Sequence, residues 1–160
     1  MPDRSRDETL LREAIALARR SVAEGGGPFG AIVARGGEIL GRGANRVTLD
    51  NDPTAHAEIL AIRAACKVLG TFSLAGCSVY ASCEPCPMCL AAVCWARVER
   101  LVFGASGADA AAAGFDDERF RRELGAVSSA PSVLHAEAML RDEALAPFRD
   151  WAAKPDRKPY

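Results

Sequence analysis

Histidine is scarce in this 160-residue chain, and no run of 18 apolar residues occurs anywhere in it. The second absence removes a membrane-spanning helix from the expected elements. The first stretch, "MPDRSRDETLLREA", mixes acids with bases and lacks the apolar centre of a secretory signal, so a reducing cytoplasm is the expected setting. In that setting the six cysteines are thiols or metal ligands. Excess charge is also missing. Lys plus Arg number 20 against 21 Asp plus Glu, a net charge of −1, so nothing draws the chain to a phosphate backbone or an anionic membrane. A small neutral ligand is the expected partner, and neither nucleic acid nor membrane is. The one basic run, "ERFRRE" with Arg119, Arg121 and Arg122, has acids at both ends and reads as a solvated helix face. No repeat or linker divides residues 1–160, and 49% hydrophobic content suits one domain burying roughly 68–70% of its unfolded surface.

Apolar spacing predicts a helix over about 7–24, with Leu11, Ile15, Ala18 and Val22 on one face and Gly25 to Gly27 ending it. "FGAIVAR" and "EILGRGAN" are short apolar runs joined by Gly36-Gly37, the pattern of a hairpin whose second strand opens into a loop near Asn45. The loop "RVTLDNDPT" leads to a helix, "AHAEILAIRAACKVLG", stopped by Gly70. "CSVYAS" and "RLVFGA" read as strands on either side of "CPMCLAAVCWAR", a helix opened by prolines. The Ala-rich "ADAAAAGFDD" reads as a turn before a short helix over 118–124. "PSVLHAEAML" reads as a last strand, and "DEALAPFRDWAAK" as a terminal helix broken at Pro147. A hairpin followed by strands alternating with helices predicts an α/β protein, a three-layer α/β/α sandwich around a mixed five-stranded sheet.

The stretch "SCEPCPMC" spaces Cys83, Cys86 and Cys89 evenly, but they are not equivalent. Glu84 precedes Pro85 and is pushed toward extended backbone, which leaves Cys83 at a strand end. Cys86 and Cys89 then share the first turn of a helix, where the dipole favours thiolates. Zinc takes four positions, so a further ligand must come from elsewhere. His135 sits in the last predicted strand with no ligand-like neighbour and reads as a packed or surface histidine. His56 opens its own helix in "PTAHAEI". Helices that follow neighbouring strands on one side of a sheet can bring their N-termini together. His56, Cys86 and Cys89 can thus meet at one ion with a position left for water, the arrangement of a catalytic zinc site. Glu58, two residues on, can take that water's proton without binding the metal. His-x-Glu followed by Pro-Cys-x-x-Cys is the pattern of zinc nucleobase deaminases. A closed structural site with Cys83 as fourth ligand would leave Glu58 without a task and require Cys83 to reach around Pro85. A redox Cys-x-x-Cys pair would not use His56. Cys66, Cys77 and Cys94 lie in apolar patterns and read as small buried hydrophobes.

On these motifs the chain resembles the cytidine deaminase superfamily, and within it the bacterial guanine deaminases, over nearly its whole length. The likeness extends through "GGGPFGAIV", the loop from Asn45 through "NDPTAHAE", "AIRAACKVLG", "SCEPCPMCL", "WAR" at 95–97, "AGFDD" at 113–117 and the terminal Tyr160. The resemblance implies a cytidine deaminase-like fold with one Zn2+ per subunit on His56, Cys86 and Cys89, and Glu58 as proton shuttle. It implies base contacts from Asn45, Phe29, Ala57 and Trp95, and Asp117 as a second carboxylate that binds guanine and passes a proton to the leaving amine. Tyr160 would close the pocket in a homodimer, with the segment from about 130 to 160 exchanged between subunits. The implied reaction is hydrolysis of guanine to xanthine and ammonia in the cytoplasm. The alternatives are cytosine or another purine base or nucleoside as substrate, the adenosine of a transfer RNA, and a noncatalytic zinc module. "GASGADAAAAG" departs from the more polar stretch of such relatives, and the tail is not residue-for-residue theirs.

Overall fold

Strict alternation along the central strands decides which helices cover which face. In the computed structural model, which describes residues 3–115, 117–124 and 134–159, the first half of the chain forms α1 (Arg4–Ala23), β1 (Gly30–Arg35), β2 (Glu38–Ala44), α2 (Val47–Asp50) and α3 (Ala57–Leu69). The second half adds β3 (Ser78–Cys83), α4 (Pro87–Trp95), β4 (Arg100–Ala105), α5 (Gly107–Ala112), α6 (Glu118–Leu124), β5 (His135–Ala138), α7 (Arg141–Ala144) and α8 (Ala146–Ala153). The strands among the described residues form one five-stranded mixed sheet in the order β2-β1-β3-β4-β5. β1 is antiparallel to β2 and β3, whereas β3, β4 and β5 run parallel.

Because successive strand residues point to opposite faces, Ile32, Ala34, Tyr80 and Val102 project to one side. There they pack with Leu10, Leu11, Ala14, Ile15 and Val22 of α1 and with Phe148 and Trp151 of α8. Ala31, Val33, Val79, Ala81 and Leu101 project to the other side, onto Ala57, Ala61 and Ala65 of α3 and Leu90 and Val93 of α4. The three expected layers are therefore present. No helix among the described residues is long and apolar enough to cross a membrane.

The fit of α3 onto β2 is unusually close, and it places the site. Ala57, Ala61 and Ala65 form an i, i+4, i+8 stripe facing Gly41 and Gly43. A Cβ on Gly43 would stand 2.0 Å from the Ala57 carbonyl oxygen, and one on Gly41 would stand 2.3 Å from that of Ala61. Only backbone can occupy that space, so the first turn of α3 is seated directly on the end of β2.

Beneath the sheet, on the α1 side, the Asp7 carboxylate accepts hydrogen bonds from Arg100 at 2.7 and 2.8 Å and from the Tyr80 hydroxyl at 2.7 Å. Arg100 also reaches Glu137 of β5 at 3.1 Å, so one guanidinium joins α1, β4 and β5.

Four sequence expectations change. The Ala-rich "turn" is helical: α5 is opened by Ser106, whose side chain accepts from Asp109 N–H while Asp109 accepts from Ser106 N–H. That reciprocal capping box was present in the sequence as Ser106-x-x-Asp109. The loop after β2 holds a single turn, α2, closed by Asn51 in the left-handed conformation. The last strand spans four residues, and positions 131–133 of its expected range lie outside the described residues. The break in the terminal helix falls at Leu145, because Pro147 can sit in the first turn of α8 but cannot continue α7.

Candidate active site

Two helix starts converge beside the end of β3. His56 is the N-cap of α3 and Cys86 the N-cap of α4, both with extended backbone at ψ 153° and 168°. Each stands one residue outside the helix that the sequence reading placed it in. For Cys86 the reason is Pro87, which opens α4 and disfavours helical geometry in the residue before it. Glu58 and Cys89 follow within the respective first turns and are buried. Cys83 ends β3 and turns away from this group, its thiol 3.6 Å from the Ser106 carbonyl.

His56 Nδ1 lies 3.6 Å from Cys86 Sγ and 3.5 Å from Cys89 Sγ, and one ligand atom from each of the three lies within 4.8 Å of the others. A tetrahedral ion with Zn–S of about 2.3 Å and Zn–N of about 2.0–2.1 Å separates its nitrogen and sulfur ligands by about 3.6 Å. The spacing, the soft donor set and the room for a further ligand all fit zinc. The electrostatics agree. The Cys86 thiol is held down to about 4 by its hydrogen bond with Cys89 and by His56, while Cys89 is pushed up by the same bond and by burial. The pair therefore keeps one proton that a cation would displace. Burial pushes the His56 imidazolium down, but the Cys86 thiolate and Glu58 raise it on balance. Burial, reinforced by Cys86, raises the Glu58 carboxyl.

In front of these groups lies a cavity of about 560 Å³, within the range of small-molecule sites. Phe29, Asn45, His56, Glu58, Phe115 and Asp117 are among its lining residues. Asn45 is 2% exposed, and its Oδ1 accepts from Val47 N–H at 3.2 Å. Phe29 meets Phe115 edge-on at 4.9 Å between ring centroids, and Phe115 rests in turn on Trp151 of α8 at 5.4 Å. Asp117 accepts from Arg121 through Oδ2 at 2.9 Å, whereas its Oδ1 is buried and has no hydrogen-bond partner among the described residues.

Comparison with known proteins settles the family. The model of the cytidine and deoxycytidylate deaminase zinc-binding region matches residues 4–105, which include both helix starts. The chain belongs to this deaminase family. It is 46% identical to the guanine deaminase of Bacillus subtilis (strain 168) over 154 residues, 96% of this chain and 98% of that one. It is 40% identical to the tRNA-specific adenosine deaminase of the same organism over 129 residues, 78% of this chain and 80% of that one. Among solved structures, an NE0047 mutant in complex with 8-azaguanine superposes with a TM-score of 0.80 at 34% identity, covering 92% of this chain and 85% of that one. The protein is a zinc-dependent hydrolytic deaminase.

Within the deaminase the predicted residues fall in different places. His56, Glu58, Cys86, Asn45, Phe29 and Asp117 line one cavity, and Cys89 completes the ligand cluster. Ala57 has its side chain in the core beneath α3, which leaves its backbone N–H, at a helix start, as the group it can offer. Trp95 does not reach the cavity: it is the last residue of α4, about 12 Å of helix from Pro87, and is 77% exposed with the Arg97 guanidinium 5.9 Å from its ring. Tyr160 lies outside the described residues.

Arg121 is the clearest departure from the sequence reading. Read as part of a solvated face, it has a side chain only 9% exposed, and it lines the cavity. Composition could not reveal this, because most of its partners lie 36 and 37 residues away, at Pro85 and Glu84. The local clue was the i, i+4 spacing of Asp117 and Arg121. Phe115 and Glu84 also line the cavity and were not singled out as site residues.

Proposed function

We propose that this deaminase acts on a free nucleobase, converting guanine to xanthine and ammonia. The observation that carries the reading is that the cavity holding Glu58 beside the zinc ligands also takes Asp117, whose buried Oδ1 has no partner among the described residues. A buried carboxylate oxygen left without a donor costs on the order of 1–3 kcal/mol, which a ligand rich in N–H groups would recover. Guanine presents such groups at its ring nitrogens and at the amine on C2. Asn45, with Oδ1 held by Val47, has its amide N–H groups to offer to ring acceptors. The cation lining the cavity, Arg121, is engaged by carboxylates and carbonyls, which favours an uncharged base over a nucleotide.

His56, Cys86 and Cys89 would hold the metal, and zinc so bound supplies a water acidified from roughly 15.7 to about 7. Glu58 accepts the proton of that water and returns it to ring N3, beside the amine-bearing carbon. Burial, reinforced by Cys86, raises its carboxyl, the direction that suits a group which must give the proton back as well as take it. As the water oxygen bonds to C2, Asp117 binds the amine and, with Glu58, passes to it the water's remaining proton, so that C–N cleavage releases ammonia and leaves the C2 carbonyl of xanthine. Phe29 and Phe115 form apolar walls that limit bulk water around these transfers.

The reading includes a homodimer in which Tyr160 and the segment from about 130 to 160 complete the neighbouring site. The exposed Trp95 supports a covering partner. It also includes a cytoplasmic setting, supported by six cysteines without a disulfide. Ammonia release should be measured with guanine, adenine, cytosine, guanosine and an anticodon stem-loop RNA. Guanine turnover is expected; inert guanine beside a reactive member of the set would sink the substrate assignment. Light scattering checks the dimer, which requires twice the chain mass.

A further inference from the structure

We propose that Arg121 is a positioning residue that sets the substrate-facing Asp117 and the metal-ligand turn at a fixed separation. The inference rests on the reading of Asp117 as a base-binding carboxylate. Its basis is the set of acceptors gathered by one guanidinium. Nε donates to Asp117 Oδ2 at 2.9 Å, Nη2 to the Glu84 carbonyl at 2.8 Å, and Nη1 to the Pro85 carbonyl at 3.0 Å. Nη1 also stands 3.3 Å from Glu84 Oε1, and Glu84 Oε2 in turn accepts from Gly107 N–H at 2.8 Å. A planar fork of donors meets acceptors from Asp117, just before α6, and from the turn before α4, and Glu84 links it to the Gly107 N–H at the start of α5.

Two consequences follow from this geometry. With Oδ2 tied, the Asp117 carboxylate cannot rotate freely, and Oδ1, which has no partner among the described residues, is the oxygen that faces a ligand. The Pro85 carbonyl belongs to the residue before Cys86, so the same cation restrains the entry of a zinc ligand into α4. Lysine could not substitute, because a single ammonium nitrogen cannot present the three separate donor positions from which Nε, Nη1 and Nη2 reach a carboxylate and two carbonyls. Gly107 shows how tightly the group is held: a Cβ there would stand 2.7 Å from Arg121 Nε and 2.8 Å from Cζ, so any side chain displaces the fork.

The test is a double-mutant cycle of Arg121→Met with Asp117→Asn, read as kcat/KM on whichever base of the set above the wild-type enzyme turns over, so a wrong substrate leaves the comparison intact. Zinc release to a chelator is followed in parallel and needs no substrate. Arg121→Met is expected to lower kcat/KM roughly 100-fold in the native background. It should do so by less than about threefold when Asp117 is already Asn, because the arginine acts through that carboxylate. Zinc release should be roughly 10-fold faster. Arg121→Lys should recover only a small part of the loss. If Arg121→Met does not fold, Gly107→Ala, which keeps the charge and moves it, takes its place in the cycle with the same pattern expected. Equal losses in both Asp117 backgrounds, unchanged zinc release, or full activity of Arg121→Lys would each overturn the assignment.

Discussion

Cys89 Sγ lies 3.5 Å from His56 Nδ1 although 33 residues separate them in the chain. The contact is made because His56 caps α3 and Cys89 lies in the first turn of α4, helices whose starts meet beside β3, with Cys83 left behind at the strand end. Zinc content should therefore depend on Cys89 and not on Cys83. Cys89→Ser is expected to lose most bound zinc and all measurable deamination. Cys83→Ser, which alters a thiol facing the Ser106 carbonyl, should keep both. Metal analysis after gel filtration checks this, and loss of zinc from Cys83→Ser would point to a closed four-ligand site.

Glu58 is buried within the cavity and within two residues of a zinc ligand, yet the cluster that can hold an ion is complete without it. A proton carrier in that position is needed for turnover and not for binding. Glu58→Gln should retain zinc and its melting temperature to within a few degrees while kcat falls roughly 1,000-fold or more. An enzyme that remains near wild-type rate would show that another group moves the proton.

How much of this was legible beforehand depended on whether the deciding contacts were local. His56 with Glu58, and Cys86 with Cys89, announce themselves because each pair sits within one helical turn and each carries metal chemistry. Cys83 was separable from them because Pro85 acts on its immediate neighbour. Arg121 was misread because its burial depends on Glu84 and Pro85, which reach it only through the fold. Trp95 stands apart from its own chain's cavity for a similar reason: helix period puts it on α4, but only the tertiary arrangement shows the cavity at the opposite end of that helix. The capping box at Ser106 and Asp109 was a local signal that the alanine run obscured.

The seat of α3 on β2 gives a sharper test of how the fold positions the site. Gly43→Ala introduces a methyl group 2.0 Å from the Ala57 carbonyl, and neither partner is a flexible side-chain end. The helix start must lift, at a cost of about 1–3 kcal/mol from overpacking. Because Ala57 lies between His56 and Glu58, the same displacement should lower kcat/KM at temperatures where the protein is still folded. Urea unfolding and kinetics on one preparation separate the two effects; a destabilised enzyme with unaltered kcat/KM would uncouple the helix seat from the site.

The Asp7, Tyr80 and Arg100 network makes stability depend on pH in opposite senses at the two ends of the range. Burial pushes the Asp7 carboxyl up, but the hydrogen bonds from Arg100 and Tyr80 hold it below its usual value, so its contribution is lost as pH falls through the folded pKa. Burial, with the bond to Asp7, pushes the Tyr80 phenol up to about 12 from 10.0. Between those values the unfolded chain has lost a proton that the folded chain keeps, so Tyr80 favours folding fully below pH 10 and its contribution declines as pH rises toward 12. Two pKa units correspond to roughly 2–3 kcal/mol. Tyr80→Phe removes this titration together with a hydrogen bond to a charged group, worth about 1.5–3 kcal/mol. Urea unfolding at pH 8 should thus show the wild type more stable than Tyr80→Phe by about that amount, and the gap should narrow steadily at pH 10, 11 and 12. A gap that stays constant over this span would mean that the phenol ionises no later in the folded protein than in the unfolded chain.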